Sequence, residues 1–102
     1  MPREGQSSIA AFVTELHTLE AILARHEEEF WHGKIREARL YAEASDAICV
    51  RKFLELCGGM GSLTDLVLPE APDAQERLNA ARSRAFDLAR HLQRELNATP
   101  RA

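Results

Sequence analysis

Apolar side chains recur along this chain at intervals of three and four residues from Ser8 to Asn97, with one interruption. Ile9, Phe12, Val13, Leu16, Leu19, Ile22, Leu23 and Phe30 keep that spacing, while Glu15, Glu20, Glu27 and Glu28 fall mostly elsewhere. One buried stripe on a 3.6-residue period predicts a first amphipathic helix over 8–31, stopped near Gly33. Between Ile35 and Cys57 the phase is lost: a single straight helix would place Arg39, Glu43 and Asp46 on the side of Ile35 and Phe53. A break near Ala44-Ser45-Asp46, with Ser45 or Asp46 as N-cap, avoids burying those charges. It yields a helix over 34–44, using Ile35, Ala38, Tyr41 and Ala42, and another over 46–57, using Ile48, Cys49, Val50, Phe53, Leu54, Leu56 and Cys57. The latter is apolar over so wide an arc that it reads as the central, most buried helix. Pro69-Glu70-Ala71-Pro72 reads as a rigid connector, because proline does not fit a helix interior. Asp73-Ala74-Gln75-Glu76 resembles a capping box, and Leu78, Ala81, Ala85, Leu88, Leu92 and Leu96 mark a last helix over 73–97. The fold class is therefore all-α, a compact bundle of three to four main helices. The polar ends, 1–7 and 98–102, are expected to be flexible.

The interruption is Gly58-Gly59-Met60-Gly61-Ser62-Leu63-Thr64-Asp65-Leu66-Val67-Leu68, where three of the chain's five glycines fall within four positions. Gly58 is placed to end its helix in the left-handed conformation. Gly59 and Gly61 permit tight turns. Ser62 and Asp65 have the spacing of a capping box, which would start one short helical turn at about 62–67 and tuck Leu66, Val67 and Leu68 against the bundle. A phosphate-binding reading meets three obstacles. A helix rather than a strand precedes the glycines, Pro69 cuts short any helix after them, and the phosphate-loop lysine is absent. An anion could use the glycine amides, but Asp65 already brings negative charge there. Gly58, Gly59, Met60, Gly61, Ser62 and Asp65 thus make a candidate recognition loop.

Composition narrows the picture. At 102 residues, 45% hydrophobic and 28% charged, residues 1–102 make one domain that can bury a core without metal or disulfide help. The formal charge of −3 is uneven: residues 1–72 carry 7 basic and 12 acidic side chains, residues 73–102 carry 6 and 4. With a pI near 5.8 and no basic stripe, nucleic acid is disfavoured as a partner. Cys49 and Cys57 lie eight residues apart on one expected helix, ~12 Å along its axis, too far to bridge. They read as small buried apolar residues of a reducing compartment. No signal-like apolar core and no apolar run of about 18 residues is present, so the expected location is cytoplasmic, without membrane insertion.

Candidate chemistry is thin. His26 and His32 are six apart and face different sides of a helix, unlike the zinc-binding pair four apart. Glu29-Phe30-Trp31-His32 matches half of a di-iron carboxylate site, but no second Glu-x-x-His occurs. Cys57 sits near a helix C-terminus, where the dipole opposes a thiolate, with no histidine adjacent in sequence. Arg77, Arg82, Arg84, Arg90 and Arg94 are interleaved with Glu76, Asp87 and Glu95, as on a solvated, ion-paired surface. The expectation is a protein that is not an enzyme and carries neither cofactor nor metal.

The loop resembles the core pattern of a small, functionally uncharacterised bacterial domain family: Gly-Gly-Met-Gly-Ser, two variable positions, then Asp-Leu-Val. Here that runs from Gly58 to Val67, with Leu63 and Thr64 in the variable places. A tryptophan one helix upstream is also a family feature, which Trp31 matches. The resemblance covers about residues 28–70 and implies a small helical domain with no established activity. Taken together, these features suggest a non-enzymatic interaction domain, immunity-like or accessory. Its acidic first half suits a basic protein partner such as a nuclease-like toxin, and homodimerisation through surplus apolar surface is a further mode. The alternative is a small-ligand or anion-binding regulatory module using Gly59, Gly61 and Ser62.

Overall fold

A computed structural model describes residues 4–58, 62–68 and 71–98. In it the apolar stripes become four helices: α1 (Glu4–Arg25), α2 (Glu29–Glu43), α3 (Ile48–Leu56) and α4 (Pro72–Ala98), with one 3-10 turn at Leu63–Asp65. No strand occurs among the described residues, and the all-α bundle follows. α1 packs against α4 and α2, and α3 closes the ring by packing against α2 and α4.

The spine is α1 with α4. Phe12, Leu16, Leu19, Ile22 and Leu23 of α1 meet Ala74, Leu78, Ala81, Ala85, Ala89 and Leu92 of α4, all buried. Small alanines on α4 let the larger α1 side chains come close, and each fully buried leucine or phenylalanine contributes about 1.5–3 kcal/mol of transfer free energy. α3 is not the central helix its wide apolar arc suggested. It buries Cys49, Val50 and Phe53, while Leu54, Leu56 and Cys57 are only partly covered. Phe53 meets Phe12 edge to face at 5.5 Å, an arrangement that matches positive ring edge to negative ring face.

Two boundaries expected in the first half move. The first helix ends at Arg25, and residues 29–31 belong to α2, which runs through Gly33 rather than starting after it. Phe30 consequently leaves the α1 stripe and is 64% exposed. Residues 4–7, expected to be flexible, are the first turn of α1. The turn missed at His26–Glu28 is a Schellman closure without glycine. Glu27 has φ 59°, its N–H donates to Ala24 O at 3.3 Å, and Glu28 N–H donates to Leu23 O at 2.9 Å, which are the two reverse bonds of that motif. The expected break at Ala44–Asp46 repeats it. Ser45 has φ 57° and its N–H donates to Ala42 O at 3.0 Å, while Asp46 N–H donates to Tyr41 O at 2.9 Å. Asp46 then caps α3, its Oδ1 accepting from Ile48 N–H at 3.0 Å.

Arg39, one of the charges that motivated the break, faces α1. Its guanidinium donates through Nε and Nη2 to both carboxylate oxygens of Glu20, the second at 3.2 Å, and through Nη1 to Glu43 at 2.5 Å. The Arg39 and Glu20 side chains are 13% and 14% exposed, so water screens the pair weakly. His17 approaches Glu43 at 3.1 Å and His32 approaches Glu20 at 3.6 Å. On the other side of α2, Lys52 of α3 reaches Glu37 at 2.6 Å. Hydrogen bonding from Arg39 holds the Glu20 and Glu43 carboxyls below their ordinary range, against the opposing effect of burial.

At the other end of α3, Gly58 does not take the left-handed role assigned to it. Its φ lies outside the positive region and a Cβ there would meet nothing within 4 Å. α3 stops instead at Leu56, with Cys57 as a right-handed C-cap. Pro72, read as connector, is the first residue of α4, and Gln75 N–H donates to Ala71 O at 2.8 Å. Proline is well placed there because its missing N–H falls where a helix has no partner to offer.

Adding glycine at position 45 and removing it at position 33 should both stabilise. Ser45→Gly relieves the left-handed strain, and Gly33→Ala, whose added Cβ meets nothing within 4 Å, restores helix propensity; each gains about 0.5–1 kcal/mol. Gly58→Ala should be neutral or mildly stabilising, and urea denaturation midpoints check all three. Acid stability provides the other check. Because the folded-state values of Glu20 and Glu43 lie below the ordinary value of 4.5, their contribution is complete above that pH and is lost as pH falls through the depressed values. Glu20→Gln should lower stability at pH 7 by about 1 kcal/mol and flatten the acid limb of the pH–stability curve below pH 4.5.

Candidate functional site

The segment after α3 is fastened to α4 by side chains that bond its backbone. Arg82 Nη1 donates to Leu63 O at 2.7 Å and to Leu66 O at 2.9 Å, and its Nη2 donates to Asn79 Oδ1. Gln75 Oε1 accepts from Leu68 N–H at 2.5 Å, while Gln75 Nε2 donates to Asn79 Oδ1 at 2.9 Å and to Leu66 O at 3.5 Å. A short irregular segment cannot satisfy its own carbonyls, so α4 supplies the donors. Leu63 and Leu68 go into the core, and Val67 between them is 63% exposed. The outcome is a rigid strap whose apolar outer residue faces solvent.

The expected capping box does not form. Ser62 is buried and makes no side-chain cap bond. Its hydroxyl pairs with Thr64 Oγ1 at 2.8 Å, and Thr64 Oγ1 donates to Cys57 O at 3.5 Å. The helical turn is correspondingly short, one 3-10 turn from Leu63 to Asp65 followed by extended backbone at Leu66. Of the candidate recognition loop, Gly58 and Asp65 are exposed and Ser62 is interior; Gly59, Met60 and Gly61 lie outside the described residues, as does Pro69 of the connector. Trp31 packs partly buried against the core from α2, its ring edge-on to Phe30 at 5.0 Å, and is not part of this site.

Beside the strap a cavity of about 480 Å³ opens between Cys57 and Thr64 on one side and Asn79, Arg82, Ser83, Phe86 and Asp87 of α4 on the other. Burial pushes the Cys57 thiol up to about 11, which keeps it protonated at neutral pH. Cys49, fully buried, is likewise pushed up to about 11 by burial. The Arg82 guanidinium is held below its ordinary value by burial, with Cys57 and Asp65 acting in the opposite direction. None of the four histidines lines the cavity, and His17, His32 and His91 each lie against a glutamate. Among the described residues, no three of His, Cys, Asp and Glu stand close enough to hold a metal ion. No described helix is long and apolar enough to cross a membrane.

Gln75, Asn79 and Arg82 were invisible as site residues in the sequence, where Arg82 read as one of five surface arginines. One signal pointed to them: Gln75, Asn79, Arg82 and Phe86 follow spacings of four, three and four. That places them in one line along the flank of the Ala74-Leu78-Ala81-Ala85 stripe.

Residues 24–74 match the family model described as Domain of unknown function (DUF6966). The matched stretch includes Trp31 and all of Gly58–Val67, and it ends just inside α4. No curated protein and no solved structure matches the chain.

Replacing Arg82 with methionine keeps the stem and removes the donors, leaving the Leu63 and Leu66 carbonyls without them. Arg82→Met should destabilise by about 2 kcal/mol, and amide hydrogen exchange should accelerate at Leu66 and Leu68 more than in α1. Uniform acceleration across the chain would contradict a local clamp.

Proposed function

The chain belongs to the DUF6966 family, and we propose that it acts as a non-enzymatic protein-interaction domain whose recognition face is the strap over 62–68 with the adjoining flank of α4. The observation that carries this reading is the fastening of the strap. Two α4 side chains, Gln75 and Arg82, hold its backbone while Val67 is exposed to solvent. A surface already held in one shape binds without the entropic cost of ordering a loop. An exposed aliphatic residue on such a surface offers a partner apolar area to bury.

The reactive groups are committed to roles other than catalysis. Cys57 stays a thiol at neutral pH, and the three histidines with partners are engaged by glutamates away from the cavity. Exposed Asp65 and Asp87 border the face and favour a partner with basic groups at the rim. In size and composition the chain suits an immunity or accessory protein of a bacterium, whose partner would be encoded nearby.

Co-expression with the product of a neighbouring gene tests the reading. A complex should form, and Val67→Asp should weaken it at least about tenfold with the circular dichroism spectrum and unfolding midpoint unchanged. Arg94→Asp, at an exposed position in the last turns of α4, should leave the complex intact. A complex indifferent to Val67→Asp places recognition elsewhere.

A further inference from the structure

Arg82 does more than its clamp requires. A guanidinium has five N–H donors, and three are committed: two from Nη1 to Leu63 O and Leu66 O, one from Nη2 to Asn79 Oδ1. The Nε–H and the second Nη2–H have no acceptor among the described residues, and no carboxylate forms an ion pair with Arg82 there. These two donors belong to a side chain that lines the cavity and is itself held in place by the strap. Uncommitted N–H groups on a guanidinium are the donors that carboxylate oxygens accept from.

The rest of the cavity narrows the class of ligand. Thr64 and Ser83 add hydroxyls, and the partly buried Phe86 ring and the protonated Cys57 thiol supply an apolar wall. At about 480 Å³ the groove has room for a small molecule. Asp87 on the rim and the charge of nearby Asp65 oppose a ligand of high negative charge, so a phosphate dianion is disfavoured where a monoanion is not. We infer that this cavity binds a small organic monocarboxylate, its carboxylate on Arg82 and its apolar or aromatic body against Phe86 and Cys57. This goes beyond the partner reading and needs no partner: it makes the recognition face ligand-responsive, because the cation that would hold the ligand also holds the strap.

The test is an NMR titration of the full chain with phenylacetate, alongside 2-phenylethanol as the uncharged analogue and inorganic phosphate as the anion without an apolar body. Phenylacetate should produce saturable shifts at the amides of Thr64, Arg82 and Phe86, with no saturable shift from the other two. Ser83 is exposed on α4, so Ser83→Asp adds a negative charge at the cavity without touching the clamp and should weaken binding at least about tenfold. Asp87→Asn, which removes a charge instead, should tighten it. Absence of saturable shifts with phenylacetate, an equal response to phosphate, or unchanged affinity in both variants each overturns the site. The titration contains no protein partner, so its failure leaves the interaction reading to be judged by its own experiment.

Discussion

The first half of the molecule hinges on two residues held at positive φ without being glycine. Glu27 and Ser45 each close a helix by the same pair of reverse hydrogen bonds, and each reversal sets the next helix back against the last. Left-handed backbone costs an ordinary residue roughly 1–2 kcal/mol, so these turns persist because packing holds them. Phe53 on Phe12 and the Glu20–Arg39 pair supply that hold, the first apolar between α3 and α1, the second ionic between α2 and α1. The two closures place α2 and α3 where α4 can seal the ring.

Which parts of the fold are legible in the sequence depends on the same distinction between spacing and packing. Helical class and the α4 stripe follow from spacing alone, since Leu78, Ala81, Ala85 and Leu92 are interior as the period demands. The break at Ser45 is legible from three charges in the apolar phase, although Arg39 is largely buried all the same, paired with Glu20. The turn at Glu27 was not, because a glutamate carries no mark of left-handed backbone, and the run of glutamates continues the helix on paper. Glycine misled in both directions: Gly33 lies inside α2 and Gly58 has no positive φ. Capping chemistry was over-read as well, since Ser62 bonds the Thr64 hydroxyl rather than a helix amide.

At the candidate site, sequence and structure divide the work differently. The unusual residues between Gly58 and Asp65 single out the stretch that runs into the strap. What that stretch can do, however, is set by Gln75, Asn79 and Arg82, ordinary polar residues of a long helix. A side chain that bonds another segment's carbonyls leaves no trace in composition. Only its spacing beside the apolar stripe hints that it faces inward. Burial, not neighbouring sequence, sets the state of Cys57 and Arg82, and burial arises from contacts far apart along the chain.

The matched family region and the folding unit do not coincide. Residues 24–74 include α2, α3 and the strap, yet Phe12, Glu20 and Arg82, the three residues those elements rest on, lie outside it. Taken alone, that region would keep the reversal at Ser45, but would lose the Leu23 carbonyl that closes the turn at Glu27 and the walls both turns fold against. The strap and the side chains that fasten it therefore fall on different stretches of chain: residues 62–68 lie inside the matched region, while Gln75, Asn79 and Arg82 lie beyond its end.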